Sequence, residues 1–461
     1  MDRFGRFLPP RKALLLALLL GLGLRAGWSF VSPYRNAEVW SEVRNETDLI
    51  NVHAIDVSHG LGIVNEDGMP SGRRPPGAIF FLAFFYKIFG VHPWVPFVLN
   101  QILTVLTLYL LYRITQHLNS PGVTSLSLLL FALNPPGVIC SNIVMDEHWA
   151  MPLWFWGIDL FLRTWKDFTW RKTFFLGIVF GLASFVRPES SVMPYVAGAA
   201  GIFHNKKKLP WLAKTAFLTF IVLAVNFPWA VRNYLAWRKP IYYSATGGFL
   251  YATLNPLARG NWSGIPGKET PFYSEELARA KDEGEVHAIG VKLAAQWVKK
   301  NPSDFVLLSL QKALFFFSPD SFEWALTIAF EKGEDPRKPP FPAPLLRFLT
   351  FTERLFHTVL VYSFFPLTGL FLSLVYRKID PDRRAAVTFI LFAIASRIVM
   401  NSVFSPNSRY RFQFEPLMML LAVYFFYELA GFFSGKRTAY LPKKTGLESA
   451  AGVGSVEASI R

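Results

Sequence analysis

The stretch NIVMDEHWAMPLWFW, residues 142–156, sets Asp146, Glu147 and His148 at the head of an apolar run rich in tryptophan. Hydrocarbon does not tolerate charge at that density, so an acidic head on an apolar run belongs at a membrane edge or in a solvated turn. The remainder of the chain decides between the two. Its 461 residues are 52% hydrophobic and 16% aromatic, more apolar than a soluble domain of this length needs. Ten runs read as spans: about 13–31, 93–112, 122–140, 148–164, 173–187, 190–203, 211–229, 355–376, 385–403 and 412–432. The pair 173–187 and 190–203 is short and would equally make one re-entrant hairpin. The runs 77–90 and 304–317 fall short of the ~20 residues that a crossing needs and fit interfacial or re-entrant helices. The fold class is an all-α polytopic membrane protein of 10–12 transmembrane or re-entrant helices. The basic first segment and leucine-rich core of 1–30 resemble a signal peptide, but only "RAGW" follows the core, so an uncleaved first span is the reading adopted.

The charges orient it. With the N-terminus inside and only the ten runs crossing, the inside segments carry Arg3, Arg6, Arg11 and Lys12, then Arg113, then Arg163, Lys166, Arg171 and Lys172. Lys206, Lys207 and Lys208 follow, then Arg377, Lys378, Arg383 and Arg384, and in the tail Lys436, Arg437, Lys443 and Lys444. Every inside segment is basic, as the positive-inside rule expects. Letting 77–90 cross would turn the basic loops from 113 to 208 outward. The net charge of +16 is thereby explained without nucleic acid. One cysteine, Cys140, excludes an intramolecular disulfide and a multi-cysteine metal site. Two large loops, 32–76 and 230–354, fall outside. Residues 1–432 form the membrane domain, and 433–461 read as a disordered cytoplasmic tail.

On this topology the polar residues gather on one face. Asp48 and His53 lie in the first outer loop, in NETDLINVHAIDVSHGLG. Asp146, Glu147 and His148 lie in the second, Arg187 and Glu189 of FVRPESS in the third. Arg232 and Asn233 of NFPWAVRNY open the long loop, and Arg409 and Arg411 of NSRYRF form the last outer turn. Each has a plainer reading: a solvated turn for Asp146 and Glu147, a local ion pair for Arg187 and Glu189, lipid headgroups for Arg232 or Arg409, and ordinary polar roles for His53, His59 and His148. Taken together, carboxylates that act as general base and arginines that fork onto phosphate suit a sugar carried on a polyprenyl phosphate. A divalent metal ion held by Asp48 and a histidine is an alternative cofactor, although the spacing matches no specific metal motif.

Several stretches carry a family resemblance. SGRRPPGAIFFLAFFYKIFG (71–90) is similar to the Arg-Pro-Pro-Gly segment, apolar helix and Phe-Gly end of bacterial polyprenyl-phosphate-sugar-dependent glycosyltransferases. NFPWAVRNYLAWRKPIYYSATGGFLYATLNPLARGNW (226–262) resembles their Pro-Trp-x-x-Arg-Asn-Tyr stretch and its Gly-Gly continuation, while SFVRPES (184–190) and SRYRFQFEPLMMLLAVY (408–424) also fit. The group is the GT-C superfamily, in the branch of protein O-mannosyltransferases and lipid A aminoarabinose transferases. The resemblance runs from about 13 to 432. It implies a catalytic Asp in the first outer loop, at Asp48. An acid from the second loop, Asp146 or Glu147, would complete the site, and Arg74, Arg187, Arg232 and Arg409 would be partners of the leaving phosphate. It also implies inversion at the sugar carbon. His53, His148, Glu189, Asn233 and Arg411 are the substrate-binding candidates. The chain departs from the pattern twice. Four residues after Asp48, where the family often has Tyr, stands Val52, which leaves Asp56 a rival base. Arg73-Arg74 stands where the aminoarabinose transferases have Glu-Lys, which argues against that sugar. The partners implied are a polyprenyl-phosphate sugar, membrane lipid, and a glycan, lipid or protein acceptor, in a bacterial inner membrane with the site facing the periplasm. A lipid-linked-sugar flippase is the rival. It would place charges at midplane depth, often with internal pseudo-symmetry, and no internal repeat is visible.

Overall fold

The computed structural model describes residues 8–32, 49–205, 208–260, 274–319, 343–404 and 407–435. The helices, in order, are α1 (Pro10–Val31), α2 (Leu49–Ser58), α3 (Pro76–Phe89), α4 (Trp94–Gln116), α5 (Pro121–Leu133), α6 (Pro135–Ile139), α7 (Asp146–Thr164), α8 (Trp170–Val186) and α9 (Met193–His204). There follow α10 (Lys208–Trp237), α11 (Ala245–Thr253), α12 (Glu275–Ala278), α13 (Glu283–Lys300), α14 (Pro302–Phe316), α15 (Ala343–Leu374), α16 (Pro381–Val403) and α17 (Glu415–Phe433).

Six of these are long and apolar enough to cross a membrane, namely α1, α4, α10, α15 from Arg347, α16 and α17. A seventh span is available if α5 and the segment Pro135–Asn142 count as one, bent by 49°. Three of the ten runs read as spans therefore fall short on their own. Asp146, Glu147, Asp159 and Arg163 interrupt the apolar run of α7, α8 has 17 residues, and α9 has 12. The runs expected to be short helices are so, as α3 and α14. The tail expected from 433 lies, after Gly435, outside the described residues.

Helix ends follow local chemistry. Proline at the first helical position starts α3, α5, α14 and α16, where its missing N–H costs nothing. Side chains of Thr169, Asp282 and Asp380 accept backbone N–H groups at the starts of α8, α13 and α16. Between helices, small residues admit close approach. A Cβ on Gly177 or Gly181 would sit 2.8 Å from Ile221 or Val225 of α10, so α8 and α10 pack backbone-close along that stripe. Pro188 ends α8 by holding the residue before it, Arg187, in extended backbone.

One large apolar core runs through α1, α4–α10 and α14–α17. A second, smaller core joins α2, α3 and the start of α4 to Trp149 and Trp229. Tyr86 donates to Asn51 at 2.6 Å, which ties α3 to α2. The polar site lies where these two cores meet.

Candidate active site

Met145 is extended, and α7 begins at Asp146, so both acids occupy its first turn, where the helix dipole favours negative charge. Glu147 is fully buried. Arg409, from the short 3-10 turn Ser408–Arg411, reaches it with two parallel bonds, Nε to Oε1 at 2.7 Å and Nη2 to Oε2 at 2.9 Å. Arg187 reaches the same carboxylate with Nη1, 2.8 Å from Oε1, and lies 3.1 Å from Asp146 Oδ1. Its Nη2 holds Glu189 Oε1 at 3.0 Å. Arg397 of α16 stands 3.6 Å from Glu189. Three carboxyl groups thus face three guanidiniums.

Aromatic rings wall this cluster. Arg187 lies over Tyr410 at 5.0 Å, and Arg397 over Phe414 and Trp154 at 5.5 and 5.7 Å. Trp154 donates to Ser190 at 2.6 Å. Access is uneven. The side chain of Glu147 is sealed, that of Asp146 is 10% exposed, and those of Arg409 and Glu189 are 17% and 27% exposed.

Electrostatics separates the two neighbouring acids. Burial opposes ionisation of both. For Glu147, Arg409 and Arg187 outweigh burial and hold the carboxylate well below the usual range. For Asp146 burial wins over Arg187, and the charge of Glu147 adds to it, raising the carboxyl to about 7. Burial also opposes the charge of Glu189, but Arg187 and Arg397 bring it down to about 2. Pairs of acids driven apart in this way are the mark of acid–base division of labour.

A second polar group adjoins the first. Gly77 opens α3, and a Cβ there would lie 2.7 Å from the Phe185 carbonyl, two residues before Arg187. Only glycine lets the Arg-Pro-Pro-Gly segment settle that close. Arg232 of α10 braces the segment, donating to the carbonyls of Ser71 at 2.8 Å and Ile63 at 2.7 Å and lying 4.7 Å over Trp229. Glu283 of α13 accepts from Ser71 Oγ, Gly72 N and Ser244 Oγ and pairs with Arg73 at 3.3 Å. Arg74, half-buried, has no hydrogen-bond or ion-pair partner among the described residues. His53 is 3% exposed, and neither ring nitrogen is hydrogen-bonded among the described residues. Burial lowers its pKa to about 4, and Arg74, Arg73 and Arg232 push the same way against Glu283.

The remaining candidates are internal. Asn233 is fully buried, accepts from Arg232 and donates to the Tyr242 carbonyl at 2.9 Å. Arg411 is fully buried and belongs to a separate group, 2.8 Å from Glu415, with its Nη1 on the Phe316 and Ser318 carbonyls; His357 completes that group, 3.0 Å from Glu415. His148 lies edge-on to Phe412 at 4.8 Å. It borders a cavity of about 10 Å³ with Arg25 and Thr104, room for about one water and far too little for a sugar. Asn233 and Arg411 are thus each held by protein partners.

Asp48 lies outside the described residues. Asp56, the rival base, lies half-buried on α2. Among the described residues no three His, Cys, Asp or Glu side chains converge as metal ligands would. Arg397, Tyr410 and Glu283 escaped the sequence reading. For Arg397 the signal was present, since an arginine stands inside the apolar run 385–403, where charge is expensive and functional by default. For Glu283 there was none, because its role is set by contacts 211 residues away.

Residues 73–229 match the model of the dolichyl-phosphate-mannose-protein mannosyltransferase family. The matched segment holds Arg74, the acid pair, Arg187 and Glu189, and ends just before Arg232. The match covers about a third of the chain; the six helices long and apolar enough to cross a membrane make the chain an integral, multi-pass membrane protein. Among solved structures it is similar to the archaeal oligosaccharyltransferase AglB from Archaeoglobus fulgidus, in complex with an inhibitory peptide and a dolichol-phosphate. The identity is 13% and the TM-score 0.49, over 92% of this chain and 51% of that one. It is also similar to ArnT from Cupriavidus metallidurans bound to undecaprenyl phosphate, at 13% identity and TM-score 0.40, over 91% of this chain and 78% of that one. The chain thus spans about half the length of the archaeal enzyme. Among curated protein sequences none matches it.

Proposed function

We propose that this chain transfers a sugar from a polyprenyl-phosphate donor, with inversion, to a glycan, lipid or protein acceptor on the non-cytoplasmic face of a bacterial inner membrane. The observation that carries the reading is the pairing at the start of α7. A sealed, charged Glu147 holds two arginines, and beside it stands Asp146, its side chain 10% exposed and held by Arg187 at 3.1 Å, its carboxyl raised to about 7 by burial.

In this scheme the acceptor hydroxyl gives its proton to a carboxylate and its oxygen attacks the anomeric carbon. The bond from that carbon to the phosphate oxygen breaks, and the polyprenyl phosphate leaves with the electron pair. Asp48 is assigned as base on the family resemblance, and Asp146 orients the acceptor and shares its proton. Arg74 is the guanidinium left for the leaving phosphate, with Arg232 beside it. Arg187 and Arg409 are engaged by carboxylates, and their part is to set the field at Asp146. The outer helices α11–α14 shape the acceptor side. Residues 1–432 act as one membrane domain.

The test uses purified protein in nanodiscs, a panel of polyprenyl-phosphate sugars, and cell-envelope extract as acceptor. Release of free polyprenyl phosphate with one donor supports the reading and names the sugar. No release with any donor refutes it.

A further inference from the structure

Between α7 and α8 the bundle leaves a groove of about 270 Å³, lined by Trp156 and Leu160 on one side and Phe175, Ile178, Val179 and Leu182 on the other, with Lys172 at one end. The donor chemistry does not use it. Its cationic end is the basic inside loop that sets the topology, so the groove opens at the cytoplasmic surface, opposite the face that carries Asp146 and Arg74.

Its length is informative. From Lys172 to Leu182 a helix rises ~15 Å, half of a hydrocarbon core of ~30 Å. The groove therefore spans the depth of one leaflet. Trp170, 54% exposed and edge-on to Phe217 at 5.5 Å, stands at its mouth, where interfacial tryptophans collect. Arg171 beside it is exposed, lies over Phe175 at 5.9 Å, and has no ion-pair partner among the described residues. Lys172 shares its charge with Asp167 at 2.6 Å. An apolar slot one leaflet deep beneath a positive mouth matches an acyl chain under an anionic headgroup, as basic pockets between spans do on this side of a membrane.

We propose that this groove is a binding site for an anionic phospholipid of the cytoplasmic leaflet. One acyl chain lies between α7 and α8, and the phosphate rests on Arg171 and Lys172. The lipid fills the space beside the helix that presents Arg187 and so fixes that helix laterally. This proposal stands apart from the transferase reading, because binding is measured without any donor.

Native mass spectrometry of the protein released from nanodiscs of mixed anionic and zwitterionic phospholipid tests it. The wild type is expected to keep one anionic phospholipid, and Leu182→Trp, which fills the slot, to lose at least nine-tenths of it. Arg171→Gln/Lys172→Gln is expected to keep a lipid without headgroup preference, whereas Lys378→Gln/Arg384→Gln, the same charge loss on another inside loop, behaves as wild type. Circular dichroism verifies that each variant is folded; should Leu182→Trp not fold, Ile178→Phe takes its place. Equal retention by the wild type and the groove-filled variant overturns the proposal. So does retention of a polyprenyl phosphate there, or loss of preference in the Lys378/Arg384 control.

Discussion

Arg409 and Glu147 stand 262 residues apart in the chain and meet through two parallel hydrogen bonds of 2.7 and 2.9 Å, the carboxylate fully buried. The forked geometry fixes the last outer turn against the head of α7. Because Arg187 shares the same carboxylate, the pair also fixes the end of α8.

Removing that carboxylate charge takes from Arg409 its forked partner and from Arg187 one of three carboxylates. Glu147→Gln is expected to destabilise the protein by about 3–5 kcal/mol, read as a lowered thermal midpoint in detergent. Asp146→Asn, at a partly open position, is expected to leave the midpoint within a few degrees while lowering turnover by about 10²-fold or more. Equal midpoints for the two variants contradict this division.

Arg74 has no protein partner among the described residues. Arg74→Gln is therefore expected to leave stability unchanged and to weaken handling of the donor, seen as a raised KM for the polyprenyl-phosphate sugar. Arg232→Gln is expected to lower the thermal midpoint as well as raise that KM, since its guanidinium braces the Ser71 and Ile63 carbonyls. An unchanged KM in Arg74→Gln removes it from the phosphate site.

The pH profile follows from the shifts. Asp146 is raised from 3.8 to about 7, so the folded protein keeps this proton longer than the unfolded chain. Its contribution to stability is present below about 4 and is lost as pH rises to about 7, while the ionised form needed for proton transfer grows only as pH passes through about 7. Glu189 is depressed from 4.5 to about 2, so its contribution is present above 4.5 and is lost as pH falls toward 2. Turnover is expected to rise through pH 7, and Asp146→Asn to remove that limb. A profile identical in both proteins contradicts the assignment.

The α8–α10 seam offers a test of the fold alone. Gly181→Leu meets Val225 at a point where even a Cβ is 2.8 Å away. Overpacking of about 1–3 kcal/mol is expected, read by thermal unfolding, with Gly369→Leu, which has open space, as the neutral control.

Much of this was legible because charge beside hydrocarbon is informative. Asp146, Glu147, Arg187, Arg232 and Arg409 each stand next to an apolar run, and the basic inside segments placed them on one face. What periodicity does not encode is who meets whom. The sequence reading put Arg187 and Arg409 on the donor phosphate, whereas both meet carboxylates, and Arg411, two residues from Arg409, points into a different buried group with Glu415 and His357. An acidic residue spaced 262 or 211 positions from its partner carries no local signal. Among the runs read as spans, 148–164 is the least regular, for a physical reason too. The run from 148 to 164 contains Asp159, a buried carboxylate paired with Arg163, so it is apolar by average but not by position.

The central claim is chemical transfer from a lipid-phosphate donor at the acids of the outer face. The most direct measurement follows free polyprenyl phosphate in proteoliposomes for the wild type, Asp48→Asn and Asp146→Asn, with labelled donor and acceptor extract. The account predicts release by the wild type, and loss of release in both variants at an unchanged thermal midpoint. No release by the wild type, while the labelled donor still crosses the bilayer, would contradict it and leave a flippase in its place.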